Sequence, residues 1–387
     1  MINAEAFIEA ARDRGFSHYT GVPCSYLTPF INYVINDAQL TYISSANEGD
    51  AVATAAGLTV GGRRAVAMMQ NSGLGNAVNP LTSLAQTFAV PVLLIVTQRG
   101  KPGQADEPQH ELMGRITGDL FDLMGIPWEP FPTTEQDVRP ALERADRYCA
   151  EQQRPYALLM ERGAVAPYPL QAEAIPSRAG ARCLRDSLHN SLTGADEQPS
   201  RNEALREAIR HTPVDGSILI GTTGYTGREL CAIDDRSNQL YMVGSMGCAS
   251  AFALGLSLAR PDLQVTVADG DGAALMRLGN FATIGSYAHN NLVHLLLDNG
   301  VHESTGSQAT VSANVNFADI AAACGYGLAL DGNSLDVIRQ LYARKDVNGA
   351  RFAHLRIKPG IPGDLPRPQT SPQEVLRRLM KHINPGK

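Results

Sequence analysis

Val265-Thr266-Val267-Ala268 runs directly into Asp269-Gly270-Asp271-Gly272, and a second apolar run, Leu292–Leu297, ends in Asp298-Asn299-Gly300, with Asp271 and Asn299 28 positions apart. Each half is a short apolar strand followed by a polar, glycine-bearing turn. The interval carries Leu278, Phe281 and Ile284 in a helical stretch, as expected of the crossover between two parallel strands. Parallel strands end on one edge of their sheet, so Asp271 and Asn299 converge there. A carboxylate and an amide carbonyl are hard oxygen donors suited to octahedral Mg²⁺, which usually takes one or two protein carboxylates and shares a phosphate ligand. Gly270 and Gly272 let backbone N–H groups approach that phosphate closely. Either turn alone is ordinary; the pair at two strand ends points to a metal and phosphate site.

Strand and helix alternate through the rest of the chain. In the first half, Leu40–Ser44 reads as a strand, Glu48 to Leu58 as a helix stopping at Gly61-Gly62, and Ala65–Met69 as a strand. A helical stretch follows near Pro80–Phe88, and Val90–Thr97 is apolar on both faces, as a central parallel strand is. Pro140–Gln153 reads as a helix with the proline in its first turn, and Tyr156–Met160 as a strand. Pro167, Pro169, Pro176 and Pro199 mark a linker. Beyond it come a helix, Asn202–Ile209, preceded by Ser200, and strands at Ser217–Gly221, Val265–Ala268, Leu292–Leu297 and Phe352–Ile357. The expected fold is α/β, with two doubly wound parallel-sheet domains over 1–165 and 200–387, a linker over 166–199 and no middle domain.

Composition narrows the classes. The 387 residues include 33 Lys+Arg against 39 Asp+Glu, a net charge of −6, without the basic surplus that a nucleic-acid binder needs. With 44% hydrophobic and 19% charged residues, the chain can bury a large core. Its longest apolar run, Phe88–Val96, is far shorter than the roughly 20 residues of a membrane span, and no membrane partner is expected. The opening Met-Ile-Asn-Ala-Glu lacks the basic-then-apolar layout of a signal peptide. Six scattered cysteines without a Cys-x-x-Cys pair read as reduced thiols of a cytoplasmic protein.

Gly270-Asp271-Gly272 followed at this interval by Asn299 resembles the cofactor motif of thiamine-diphosphate enzymes. The resemblance implies thiamine diphosphate and Mg²⁺ as cofactors. Asp271, Asn299 and the Val301 carbonyl would be the metal ligands, with Gly270, Gly272 and Ala273 along the cofactor. The family's usual Asn-Asn is Asp298-Asn299 here, and Asn290-Asn291, which precedes its strand, is a decoy. Glu48 matches the carboxylate that hydrogen-bonds the aminopyrimidine ring and equips it to remove the thiazolium proton. Read without that match, Asn47 caps a helix whose dipole Glu48 and Asp50 complement. Met246, between Gly244-Ser245 and Gly247, matches the residue that bends the cofactor into a V, with the Gly244 carbonyl accepting from its amino group. Gly221-Thr222-Thr223-Gly224-Tyr225-Thr226-Gly227 reads as a second diphosphate cradle, with Thr223 and Thr226 as hydroxyl donors. As a dinucleotide fingerprint its first two glycines are too far apart, and Asp234 and Asp235 come too soon.

Gly21-Val22-Pro23-Cys24-Ser25, Gln70 to Asn76, Arg99 to Gly103 and Asp106 to His110 resemble a two-domain branch of that family, which decarboxylates 2-oxo acids bearing a phosphonate or sulfonate. The resemblance implies a small acidic 2-oxo acid as partner and decarboxylation of 3-phosphonopyruvate to phosphonoacetaldehyde and CO₂. Sulfopyruvate or another acidic 2-oxo acid is the alternative. A nicotinamide-dependent oxidoreductase using the Gly221 to Gly227 turn is the alternative from another class. A phosphonate needs cations or clustered donors: Arg99 and Lys101, with Ser25 and Asn71 as neutral donors, while His110 and His302 are placed near the reacting centre. In the family the cofactor spans two subunits, which implies a homo-oligomer of at least two chains.

Overall fold

A computed structural model describes residues 1–172, 183–188 and 198–384. The chain divides into two units, Met1–Ile175 and Pro176–Lys387. Strands β1 (Phe16–Gly21), β2 (Thr41–Ser44), β3 (Arg64–Gln70), β4 (Leu93–Thr97), β5 (Trp128–Pro130) and β6 (Tyr156–Met160) form the first sheet. It is parallel throughout, in the order β2-β1-β3-β4-β6-β5. β4 is buried at every position, as its two-sided apolar run requires. The helix Glu48–Val60 packs on β1 and β3 and is buried almost all round, because Ala51, Ala53, Ala55 and Ala56 let it lie close.

Two helices depart from the expected pattern. Glu135–Gln152 begins five residues earlier than read, which puts Pro140 inside the helix instead of in its first turn. Its buried stripe, Val138, Ala141, Leu142, Ala145 and Cys149, outweighs the hydrogen bond that proline forgoes. Around Pro80 the helix Leu74–Pro80 widens into a π-turn, Leu81–Ala85, before Gln86–Phe88.

The second unit holds β7 (Leu184–Leu188), β8 (Ser217–Gly221), β9 (Gln239–Tyr241), β10 (Gln264–Gly270), β11 (Leu292–Asp298), β12 (Val301–His302), β13 (Gln308–Ala309), β14 (Leu328–Gly332) and β15 (Arg351–Arg356). Seven of these make a parallel sheet in the order β7-β14-β15-β11-β10-β8-β9, and β12 and β13 pair as a small antiparallel ribbon. β7 lies within the stretch read as linker and pairs with β14; residues 173–182 and 189–197 of that stretch lie outside the described residues. The helix Arg201–Arg210 opens with a capping box between Ser200 and Glu203.

Chain order places the clefts. From β8 the chain crosses to β9 on one flank, and from β10 to β11 on the other, so a crevice opens between the carboxyl ends of β8 and β10. In the first unit, β1 to β2 and β3 to β4 diverge in the same way. Among the described residues no helix is long and apolar enough to cross a membrane. All six cysteines are free thiols.

Candidate active site

Three neighbouring strands of the second unit end around one cavity of about 140 Å³. Thr222, Thr223, Gly224, Tyr225 and Thr226 line it after β8, Gly270 to Ala273 after β10, and Asn299, Val301 and His302 after β11. Asp271 is buried, and Thr310 Oγ1 donates to its Oδ2 at 2.5 Å. Burial lifts the Asp271 pKa above the usual carboxylate range, aided by the charge of Asp298 and opposed by Thr310. A cation would relieve that penalty directly. Asn299 Oδ1 accepts from the Val301 N–H at 3.2 Å, and Gly300, at φ +70°, supplies the left-handed bend of this turn.

Asp298, where an asparagine is usual, is occupied elsewhere. Its Oδ1 accepts from the Gly300 N–H and from Ser312 Oγ, each at 2.9 Å, and its Oδ2 lies 2.9 Å from His354 Nε2. Burial acts to raise its pKa, but the hydrogen bond and charge of His354, with Ser312 and Gly300, hold it below the ordinary value. His354 is buried and reaches Asp331 Oδ1 through Nδ1 at 3.0 Å.

The lining after β8 offers groups that could bind an anion. The helix Tyr225–Ile233 starts at the cavity, and the N–H groups of a helix's first turn lack intrahelical partners. Thr222 Oγ1 is buried with no hydrogen-bond partner, and Thr226 is buried beside it in the lining. Thr223 donates to the Val243 carbonyl at 2.7 Å, so the expected donor is already engaged and the orphan hydroxyl is Thr222, which the sequence reading passed over. A Cβ at Gly272 would stand 2.5 Å from His302 Cε1 and 3.1 Å from Met246 Cε, so Gly272, Met246 and His302 converge. Ser245 adopts φ +52° just before Met246, and its carbonyl accepts from Cys248 at 2.9 Å, while the neighbouring Gly244 is half-buried.

These residues fit a diphosphate with its cation: an orphan hydroxyl, a helix start, a glycine with no room for a side chain, and a carboxylate whose charge burial disfavours. Among the described residues no group of three or more His, Cys, Asp or Glu could hold a metal alone. One carboxylate, one amide and one carbonyl leave positions for phosphate and water, which is how Mg²⁺ is usually bound. Arg201, also missed, is buried in the cavity wall between Glu229, at 2.6 Å, and Glu303. Its place in a first helical turn after Ser200 gave no signal of burial.

In the first unit, Glu48 is half-buried at its helix start; Asn76 Nδ2 donates to its Oε2 at 2.8 Å, and Asn47 caps the helix through the Gly49 N–H at 2.8 Å. Arg99 is paired with Asp106 through Nε at 2.7 Å, approaches Ser25 Oγ at 3.4 Å and lies over the Tyr26 ring at 4.9 Å. That pairing holds the Asp106 carboxyl far below its usual range. Lys101 is ion-paired with Glu161. Asn71 corrects an expectation: it is fully buried, donates to the Arg99 carbonyl at 2.9 Å and Thr117 Oγ1 at 3.1 Å, and accepts from the Arg99 N–H at 3.2 Å. It braces the Arg99 turn and has no amide proton left for a substrate. His110 is buried, with Nδ1 lacking a partner.

Two rival signals resolve structurally. Asn291 Nδ2 lies at 3.0, 3.2 and 3.1 Å from the Ser257, Arg260 and Leu263 carbonyls, so it pins the start of β11. Asp234 pairs with Arg236 and Asp235 with Arg378, so neither stands as the free carboxylate that a nucleotide ribose needs.

Comparison with known proteins gives the family. The thiamine pyrophosphate enzyme N-terminal TPP binding domain matches residues 1–122, and the C-terminal TPP binding domain matches 220–345. The chain belongs to the thiamine pyrophosphate enzymes, and among them to the phosphonopyruvate decarboxylase family. It is 45% identical over 380 residues to the phosphonopyruvate decarboxylase of Streptomyces hygroscopicus, a match covering 98% of this chain and 93% of that protein. To the sulfopyruvate decarboxylase of Methanosarcina acetivorans it is 28% identical over 393 residues, covering 98% and 97%. Benzoylformate decarboxylase from Polynucleobacter necessarius superposes with a TM-score of 0.71 at 12% identity, covering 94% of this chain and all of that one, a likeness of fold.

Proposed function

We infer that the protein decarboxylates 3-phosphonopyruvate to phosphonoacetaldehyde and CO₂, using thiamine diphosphate and Mg²⁺. The observation that carries this reading is the convergence of Asp271, Asn299 and the orphan hydroxyl of Thr222 on one cavity, in a chain whose full-length relatives include a phosphonopyruvate decarboxylase at 45% identity. Bound thiamine diphosphate supplies the nucleophilic carbon and the electron sink that loss of CO₂ requires. Asp271, Asn299 and the Val301 carbonyl hold Mg²⁺; Thr222, Thr226 and the first N–H groups of Tyr225–Ile233 hold phosphate oxygens. Met246 backs the cofactor beside Gly272, and His302, in van der Waals reach of the same glycine, is placed to hold a proton near the reacting carbon. Glu48 holds the aminopyrimidine, oriented by Asn76. Arg99, fixed by Asp106 beside Ser25, offers an oriented guanidinium to the phosphonate.

The active form is a homo-oligomer of at least two chains. Val243, Met276 and Val311, each next to a segment of the cavity region, are exposed large apolar side chains, which supports a covered face there. A cytoplasmic setting completes the reading, supported by the six free thiols.

The test is an assay of CO₂ and aldehyde release with thiamine diphosphate and Mg²⁺, run on phosphonopyruvate and sulfopyruvate side by side. Turnover of phosphonopyruvate at the higher kcat/KM is expected. Preference for sulfopyruvate would transfer the chain to the other substrate.

A further inference from the structure

The chain between Asn299 and Ser312 leaves the end of β11, forms the β12–β13 ribbon and returns to the cavity with Thr310. The Thr310 N–H donates to the Gly300 carbonyl at 2.8 Å, anchoring the return on the turn that bears Asn299. Its hydroxyl donates to Asp271 Oδ2 at 2.5 Å and accepts from the Ser312 N–H at 3.3 Å. Ser312 in turn donates its own hydroxyl to Asp298 Oδ1 at 2.9 Å. Thr310 Oγ1 also lies 3.0 Å from Ser312 Oγ, and the contacts run from the end of β10 to the end of β11. Val311 between them is exposed, so the two hydroxyl residues alone face inward.

We propose that Thr310 is a positioning residue for the Mg²⁺ site, its hydroxyl setting the Asp271 carboxylate and tying the ends of β10 and β11 together through Ser312 and Asp298. This rests on the reading of Asp271 and Asn299 as ligands. A carboxylate free to rotate presents its oxygens in many directions, whereas Mg²⁺ demands near-ideal octahedral geometry. Groups that hold a ligand by hydrogen bonds are typically worth about 10–100-fold in metal affinity. The hydrogen bonds of Asp298 to Ser312, Gly300 and His354 give the brace a fixed end.

The experiment is a calorimetric titration of Mg²⁺ into the full chain with thiamine diphosphate present, for the wild type, Thr310→Val, Thr310→Ser and Asp271→Ala. Thr310→Val is expected to raise the Mg²⁺ half-saturation about 10–100-fold. Thr310→Ser, which keeps the hydroxyl, is expected to stay close to the wild type. Thr310→Ala carries the same expectation as the valine variant and replaces it if that variant does not fold. A Thr310→Val titration that superposes on the wild type overturns the proposal, as does a serine variant impaired as much as the valine one. Asp271→Ala separates the two levels: retained Mg²⁺ binding there overturns the ligand reading itself, while loss there beside an unaffected Thr310→Val overturns only the positioning role.

Discussion

Asn76 holds Glu48 by a 2.8 Å hydrogen bond to Oε2, and Gly73 presses on the other oxygen so closely that a Cβ there would lie 2.1 Å from Oε1. The carboxylate is thus gripped from both sides by the segment that follows β3. A residue serving only as a first-turn complement to the helix dipole needs no such enclosure.

Glu48→Gln keeps the shape of this pocket and removes the charge. It is expected to retain thiamine diphosphate while slowing hydrogen–deuterium exchange at the thiazolium carbon by about 10²–10⁴-fold, the usual worth of a positioned proton-transfer group. Exchange followed by NMR decides it, and an unchanged rate removes Glu48 from the reaction.

Gly73→Ala tests the same enclosure from the other side. The added methyl overlaps the carboxyl group of Glu48, with Cδ at 2.3 Å, so the side chain must swing away. The same slowing of exchange is expected, by at least about tenfold, with helix content by circular dichroism unchanged. A variant that exchanges at the wild-type rate shows that Glu48 is not held where this packing puts it.

The paired turns after β10 and β11 were legible because both strands are apolar and Asp271 and Asn299 stand directly at strand ends, where chain order alone fixes the edge. β8, β10, β11 and β15 were read to within a few residues on the same ground. β14 escaped because Asp331, buried against His354 and Arg356, interrupts its apolar run, and β9 because it is only three residues long. Side-chain engagement left no trace in composition. Thr222 and Thr223 are adjacent and chemically identical, yet one hydroxyl is orphaned and the other bonded to Val243, a difference set by a segment 20 residues away. The engagement of Asn71 was hidden for the same reason: its partners, Arg99 and Thr117, are remote in the chain.

Asn291→Ala removes the amide that serves the Ser257, Arg260 and Leu263 carbonyls. The Arg260 carbonyl keeps the Leu263 N–H, but a buried acceptor left without a partner costs about 1–3 kcal/mol, so a lower urea midpoint is expected. Its Mg²⁺ dependence should match the wild type, because this pair precedes β11 rather than ending it. A shifted Mg²⁺ requirement would return the decoy to the metal site.

Arg201→Met leaves Glu229 and Glu303 buried without their cation. Breaking a buried ion pair by removing one partner costs about 3–5 kcal/mol. Burial already raises the Glu229 pKa against the pull of Arg201. Without the arginine the Glu229 carboxyl should take up a proton more readily in the folded state, so the loss of stability is expected to shrink as pH falls from 7 towards 5. Denaturant titrations at the two pH values measure it, and an equal deficit at both would mean the carboxylates find another partner.

His18 sets a separate acid limit in the first unit. Burial, with the charge of Arg63 added, lowers its pKa from 6.5 to about 4. The folded value lies below the unfolded one, so the unfolded chain binds the proton first. This contribution to stability is complete above pH 6.5, is lost progressively as pH falls from 6.5 towards 4, and changes no further below that. His18→Gln keeps a polar side chain on β1 and cannot titrate. Its melting temperature should therefore fall less than that of the wild type between pH 7 and pH 4.5. Parallel curves over that interval would show that His18 takes up its proton equally in both states, and that its burial on β1 carries no charge penalty.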